Sequence, residues 1–180
     1  MLPFRAYLTE ATTMESLTQE MRRLGIDVVE LGRNKKLAEE CLAAMTYMKT
    51  QGYRMPEKFR VYPGMGRNAG VYSPSNDCIF LNPTLKSLTG STPFHASSHR
   101  FQFVFHEMGH MLHYDNVTSL YDSIKNRYWT AEMKQRIVSE VSTYAATNAL
   151  EFVAEVFAGQ LAGKQYPDDI LTQYRLAGGP

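Results

Sequence analysis

The segment His106-Glu107-Met108-Gly109-His110 has the residue types and the spacing of a metal site. In an α-helix, side chains four positions apart lie on one face, so His106 and His110 can offer two imidazole nitrogens to one ion. Zn²⁺ accepts such nitrogens at about 2.0–2.1 Å and favours tetrahedral coordination. Glu107 follows the first histidine, where it can reach a water molecule on the metal as a general base. The pattern therefore predicts zinc-assisted hydrolysis.

Hydrophobic periodicity predicts the helix that must carry these residues. A helical projection separates the histidine pair from an apolar face, so a helix over about residues 99–113 would bury that face and direct His106 and His110 into a cleft. The alternative is a buried amphipathic helix whose two histidines bond only to protein groups. Gly109 would let another backbone approach the helix beside the metal. The apolar face consists of Phe101, Val104, Met108, Met111 and Leu112.

The other histidines are not expected to bind the ion. His99 and His113 share the face of the pair, but the far members lie about 10 Å apart along the helix axis, too far for one ion. Both are expected at the edge of the cleft or on the surface. His95 falls in a predicted loop and receives no role. The chain has His113 and Asn116 where the extended metzincin motif requires glycine and histidine, so the third ligand should come from a later helix.

A helix predicted over residues 147–157 offers two carboxylates one turn apart, Glu151 and Glu155. The rest of its circumference is apolar, which predicts burial, and buried carboxylates are costly unless a cation or hydrogen-bond donors meet them. One carboxylate would bind the metal and the other would orient a histidine. The alternative is a solvated acidic stripe on a surface helix. The apolar residues are Leu150, Phe152, Val153, Val156, Phe157 and Leu161.

Taken together, the two segments resemble the catalytic domain of anthrax lethal factor and its relatives, which are gluzincin-type zinc endopeptidases found in toxins and in phage and prophage proteins. The second segment, residues 142–157, reads STYAATNALEFVAEVF. The resemblance covers residues 99–158, about a third of the chain. It implies His106, His110 and Glu151 as the zinc ligands.

The resemblance also implies roles for three further residues. Glu107 corresponds to the general base, and Tyr144 to the tyrosine that faces the metal-bound water and the oxyanion. Glu155 corresponds to an acidic residue one turn beyond the last ligand, next to the ligands rather than on the metal. The implied fold is a zincin-like α+β domain, helix-rich, with a small mixed sheet beside the helix of the histidine pair.

The expected function is zinc-dependent hydrolysis of peptide bonds in a protein or peptide substrate, by an effector, a toxin domain or a phage product. Lethal factor has large additional domains for transport and docking, so the resemblance concerns only the catalytic unit. One alternative is a non-catalytic phage or virion accessory or binding module that retains the zinc fold. Glu107 argues against it, because a structural zinc site needs no base and is usually closed by a fourth protein ligand. Another is an intracellular regulatory peptidase that cleaves a repressor.

Composition narrows the partners and the location. A length of 180 residues predicts one domain, and a net charge of +1 gives no argument for a nucleic-acid or anionic-membrane partner. We expect no membrane span and no secretory signal, hence synthesis in the cytoplasm, with any export by a signal-independent route. Cys41 and Cys78 are expected as free thiols. The sequence does not specify an inhibitor or a delivery partner.

The single predicted domain, 1–180, has a helical part (1–55), a sheet part (56–98) and the zinc-site helices (99–180). A hairpin is predicted from two β-runs joined by a turn at residues 74–77. By the resemblance, its edge would bind an extended peptide by strand addition; the alternative is an ordinary hairpin that covers the core. The predicted helices are 13–24, 34–50, 130–141 and one that begins at 167. The predicted strands are 26–31, 59–62, 69–73 and 78–82. A flexible loop is predicted at 63–70 and a polar connection with several aromatic residues at 115–129.

Overall fold

The computed structural model describes residues 13–66, 68–127 and 129–180. The predictions for the first twelve residues, for Arg67 and for Tyr128 lie outside these ranges. Within them, the strands are β1 (Val28–Glu30), β2 (Lys58–Val61), β3 (Gly70–Ser73) and β4 (Cys78–Leu81). The helices are α1 (Met14–Arg23), α2 (Lys35–Thr50), α3 (Gln102–Val117), α4 (Tyr121–Lys125), α5 (Ala131–Glu140), α6 (Ala149–Leu161) and α7 (Asp168–Leu176).

The four strands form one mixed sheet in the order β1-β2-β4-β3. Strands β1, β2 and β4 run parallel, whereas β3 pairs antiparallel with β4. The predicted hairpin is therefore confirmed, with Tyr72 opposite Ile79 across it. Strand β3 forms one edge of the sheet and also contacts α3. The α+β class with a small mixed sheet beside α3 is confirmed.

Local signals in the sequence set several helix ends. The Asn34 side chain accepts a hydrogen bond from the Leu37 amide at 3.2 Å, which caps α2. The Thr130 hydroxyl accepts one from the Met133 amide at 3.2 Å and caps α5 in the same way. Such caps act within three residues, which is why the sequence predicts these ends to within a residue.

The prediction for the region around α3 was wrong at both ends. The helix begins at Gln102 rather than residue 99 and continues to Val117. The segment 115–129, predicted as a polar connection, contains the end of α3, the short 3-10 helix Thr118–Leu120 and α4. The polar composition that suggested a loop belongs to the exposed side of these elements. Asp115, for example, accepts hydrogen bonds from the Arg54 guanidinium, one of them 2.7 Å long.

Helices α3 and α6 cross closely at Gly109. A Cβ atom on Gly109 would lie 3.0 Å from the Cα of Ala154 and 3.2 Å from its carbonyl oxygen, so the absence of a side chain sets the helix separation. Around the crossing, fully buried Phe105, Met108 and Phe152 form part of the core. The crossing fixes the relative position of the polar residues that the two helices carry.

None of the helices in the described ranges combines the length and the apolarity needed to cross a bilayer.

Candidate metal centre

Three side-chain atoms from α3 and α6 that could bind a metal ion lie close together. The Nε2 atoms of His106 and His110 are 3.1 Å apart, and Glu151 Oε2 lies 3.0 Å from the first and 3.2 Å from the second. In a tetrahedral zinc site with bonds of 2.0–2.1 Å, ligand atoms are separated by about 3.3–3.4 Å. The triangle is close to this size, so the three groups fit one small cation.

Each of these three residues is held in place by its helix. His106 and His110 lie one turn apart on α3, as the motif predicts, and Glu151 lies in the first turn of α6. The side chain of Asn148 caps α6 by accepting hydrogen bonds from the amides of Leu150, at 2.9 Å, and Glu151, at 3.1 Å. The cap fixes the start of α6 and thereby the height at which the Glu151 carboxylate faces the histidines.

Electrostatics favour positive charge within this cluster. Burial opposes a charge on His106, but hydrogen bonds to Glu151 and Glu155 raise its pKa well above the ordinary value. Burial likewise opposes ionisation of Glu151, yet the two histidines hold its pKa below the ordinary value. A proton and a metal ion bind at the same imidazole nitrogen. The negative charges that favour protonation of His106 therefore also favour binding of a cation.

Glu155 is fully buried and lies on the other side of His106. Its Oε1 accepts from His106 Nδ1 at 2.7 Å and from Gln102 Nε2 at 3.1 Å, and its Oε2 accepts from the Ser142 hydroxyl at 2.9 Å and from the Ala96 amide. Four donors compensate the burial of this carboxylate and hold its pKa low. With the proton of His106 on Nδ1, Nε2 keeps a lone pair for a metal.

Glu107 lies against the edge strand. It is buried, and a Cβ atom on Gly70 of β3 would lie 2.5 Å from its Oε1. Its Oε2 has no hydrogen-bond partner among the described residues. Burial raises the pKa of Glu107, although the neighbouring His106 and His110 counteract the rise. A carboxylate with a raised pKa and an unused oxygen beside a metal cluster is suited to accept a proton.

Tyr144 is stacked on His106. Its ring lies 5.5 Å from the His106 ring at 27° and 5.3 Å from the Phe94 ring at 22°. Burial and the negative charge of Glu151 raise the pKa of Tyr144, and its hydroxyl faces that carboxylate. The phenol therefore stays protonated at neutral pH and is available as a hydrogen-bond donor at the cluster.

One cleft of about 570 Å³ is lined by His106, Glu107, His110, Tyr144 and Glu151. Residues 69–72, which include most of β3, form one wall, and an aromatic group with Phe94, His95 and Tyr144 forms another. Phe94 is about half exposed, and its backbone carbonyl accepts a hydrogen bond from the Tyr144 amide at 3.0 Å. The cleft is therefore lined by the edge strand, by aromatic side chains and by the cluster of His106, His110 and Glu151.

The remaining predictions about histidines have mixed outcomes. His95 lines the cleft although no role was assigned to it. His99 is half-buried and stacks on Phe105, 5.0 Å away. The expectation that His113 lies at the cleft edge or the surface was wrong. His113 is fully buried, and its Nε2 donates to the Ala177 carbonyl at 2.8 Å, because the C-terminal segment packs over the end of α3.

Sequence reasoning missed two residues of the site. Gly70 makes room for Glu107, and the hydroxyl of Tyr121 lies 3.2 Å from Nδ1 of His110. Neither has a local signal in the sequence: Gly70 is 37 positions from Glu107, and Tyr121 lies in a segment predicted to be a polar connection.

Comparisons of the chain with protein-family models, with curated proteins and with solved structures find no match.

Proposed function

We propose that this protein is a zinc-dependent endopeptidase of the gluzincin type with a zincin-like fold. The observation that carries the proposal is the meeting of His106, His110 and Glu151 at the base of a cleft that also contains Glu107 and Tyr144. Two imidazoles and one carboxylate are a donor set typical of catalytic zinc, which keeps a coordination position for water or substrate. The resemblance to the lethal factor catalytic domain supports the same assignment.

In this proposal, zinc supplies a Lewis acid and an acidified water molecule to the cleft. Glu107 would take up a proton from the attacking water and later deliver it to the leaving amine. Its raised pKa suits both steps, because the group must gain and lose a proton near neutral pH. The buried position against β3 keeps the carboxylate from turning into solvent.

Tyr144 is assigned to the oxyanion of the tetrahedral intermediate. Its phenol is protonated and is held on the face of His106 by stacking, so it donates without reorganising. Strand β3 is assigned to substrate binding, since an extended peptide can add to the edge of a sheet through backbone hydrogen bonds. The aromatic wall around Phe94 would then contact the substrate side chains on the opposite side.

A non-catalytic zinc module fits these observations less well. Such a module gains nothing from a buried carboxylate with a raised pKa beside the ligands, and burying that group costs stability. Structural zinc sites are usually closed by four protein ligands. In the part of the chain that the structure describes, the cluster has three.

The test measures zinc content and peptide cleavage together. We expect the wild type to bind one zinc ion and to cleave members of a degenerate peptide library. Glu107→Gln should keep the metal and lose turnover by about 10²–10⁴-fold, the usual contribution of a general base. Glu151→Gln should lose metal retention. Glu132→Gln on the exposed side of α5 is the matched control and should change neither quantity.

Two results would contradict the proposal. Cleavage by Glu107→Gln at the wild-type rate would remove Glu107 from the mechanism. A zinc-loaded wild type that cleaves no peptide in the library and no folded or unfolded test protein would favour the binding module instead.

A further inference from the structure

The two histidines of the metal cluster have different partners on their outer nitrogens. Nδ1 of His106 bonds to a carboxylate, Glu155, at 2.7 Å, whereas Nδ1 of His110 lies 3.2 Å from the hydroxyl of Tyr121. We propose that Tyr121 is a positioning residue for the metal centre, which holds His110 in the tautomer and ring orientation that direct its Nε2 to the ion. The inference rests on the proposed metal site but not on peptidase activity.

The chain path brings Tyr121 back to His110. Helix α3 ends at Val117, and the short 3-10 helix Thr118–Leu120 reverses the chain so that α4 begins beside α3. The Tyr121 ring packs edge-on against His113, with centroids 5.2 Å apart, and against Tyr114, at 5.3 Å. These two residues lie three and four positions after His110, so they fix the ring on the face of α3 that carries the ligand.

Counting protons on His110 gives the direction of the hydrogen bond. A neutral imidazole carries one N–H. Nε2 of His110 faces Nε2 of His106 and the Glu151 carboxylate, so it must keep its lone pair to bind a cation. The proton therefore resides on Nδ1, which donates to the phenol oxygen of Tyr121. A ligand histidine fixed in this way presents its lone pair at a constant angle.

Because the Tyr121 oxygen accepts the hydrogen bond from His110, the hydroxyl hydrogen of Tyr121 is available to a different acceptor. A phenol keeps its hydroxyl hydrogen at neutral pH, because its ordinary pKa is about 10. Tyr121 also lines the cleft, and a phenol oxygen that accepts from His110 can donate its own hydrogen into that space. The chain thus supplies a protonated phenol on α4 as well as Tyr144 at the cluster.

The two outer partners should differ in strength. Glu155 is a carboxylate that receives four hydrogen bonds, and hydrogen bonds to charged groups are about twice as strong as neutral ones. Loss of such an outer partner typically weakens metal affinity by about 10- to 100-fold. We therefore expect Tyr121→Phe to fall near the lower end of this range and Glu155→Gln near the upper end.

The experiment measures zinc affinity without any peptide. The dissociation constant is determined by competition with a chromophoric chelator for the wild type, Tyr121→Phe and Tyr114→Phe. We expect about 10-fold weaker binding for Tyr121→Phe. Tyr114→Phe is the matched control, because its ring packs in the same cluster against Tyr72 and Tyr121. It should bind zinc as the wild type does. Equal affinity of Tyr121→Phe and the wild type would overturn the proposal.

A second measurement reports on His110 directly and needs only the wild type and one variant. In ¹H–¹⁵N spectra of the zinc-loaded wild type, His110 should carry its proton on Nδ1, with slow exchange against water. In Tyr121→Phe, this proton should exchange faster, whereas the Nδ1 proton of His106 should not change. A proton on Nε2 of His110 in the wild type would overturn the proposal even if Tyr121→Phe folds poorly.

Failure of the two proposals can be told apart. Weakened zinc binding by Tyr121→Phe, in a protein that cleaves no peptide, would support the role of Tyr121 and contradict the proposed function. An active wild type whose zinc affinity does not depend on Tyr121 would support the proposed function and contradict the role of Tyr121.

Discussion

A single methyl group at Gly70 tests whether β3 positions the proposed base. The Cβ atom of an alanine there would lie 2.5 Å from Oε1 of Glu107, 2.8 Å from its Cγ and 2.9 Å from its Cδ. Ordinary contact begins at 3.4 Å, so the Glu107 carboxylate must move by about 0.9 Å. The backbone of Gly70 is not in the left-handed region, so alanine itself introduces no backbone strain.

A displacement of about 1 Å at a reacting group can cost about 100-fold in rate. We therefore expect Gly70→Ala to lower kcat/KM by about that factor while zinc affinity stays within the error of measurement, because the methyl group contacts Glu107 and not the ligands. The assay combines cleavage of the best library peptide with chelator competition for zinc. Thermal unfolding of the metal-free protein checks that β3 still forms.

A double-mutant cycle assigns the effect to Glu107. Glu107→Ala removes Oε1, Cγ and Cδ, the three atoms nearest to the added methyl group. Gly70→Ala should therefore cost much less in the Glu107→Ala background than in the wild type. Wild-type turnover in Gly70→Ala would refute the reasoning, and so would an equal loss in both backgrounds, since the methyl group would then act elsewhere.

Two further changes test the groups around the cluster. Glu155→Ala removes the acceptor of His106 Nδ1 and leaves the donors of Gln102 and Ser142 unpaired, so the metal-free protein should be destabilised by about 3–5 kcal/mol, as measured by urea denaturation. Wild-type stability would contradict the account of Glu155. Burial lowers the pKa of His113 from 6.5 to about 4. The unfolded chain therefore binds a proton that the folded state does not, and the free energy of unfolding should fall as the pH drops from 6.5 to 4. His113→Gln keeps a donor for the Ala177 carbonyl, and its metal-free form should lose about 3 kcal/mol less than the wild type over this interval. Parallel pH profiles for the two proteins would contradict this assignment.

The parts of the fold that the sequence predicts depend on neighbours within about four residues. The caps at Asn34 and Thr130 bond to amides three positions away. The spacing of His106 and His110 is read from the helical repeat alone, and the choice between Glu151 and Glu155 required only one turn of α6 together with the resemblance. Such features are determined by interactions between residues that are close in the sequence, so the sequence alone predicts them.

The missed features depend on contacts that no short stretch contains. His113 is buried because Ala177, 64 positions later, packs over it. The end of α3 was predicted too early because its outer side is polar, although Asp115 is held in the helix by Arg54, 61 positions earlier. Tyr121 and Gly70 reach the cluster only through the chain reversal after α3 and the pairing of β3 with β4. Neither the amino-acid composition nor the hydrophobic periodicity of a segment indicates which distant segments will pack against it.

If the proposed function is right, metal binding and turnover should be separable in this protein. The proposed ligands lie on α3 and α6, whose separation is fixed by the close approach at Gly109, whereas the proposed base Glu107 is held against the edge strand by Gly70. Changes on β3 should therefore alter the rate at constant zinc affinity, and changes around His110 should alter zinc affinity. The separation makes a direct comparison possible. In the contrary outcome, Gly70→Ala would weaken zinc binding as much as it slows cleavage. A change on β3 would then also move the proposed ligands, and its effect on the rate could not be assigned to Glu107 alone.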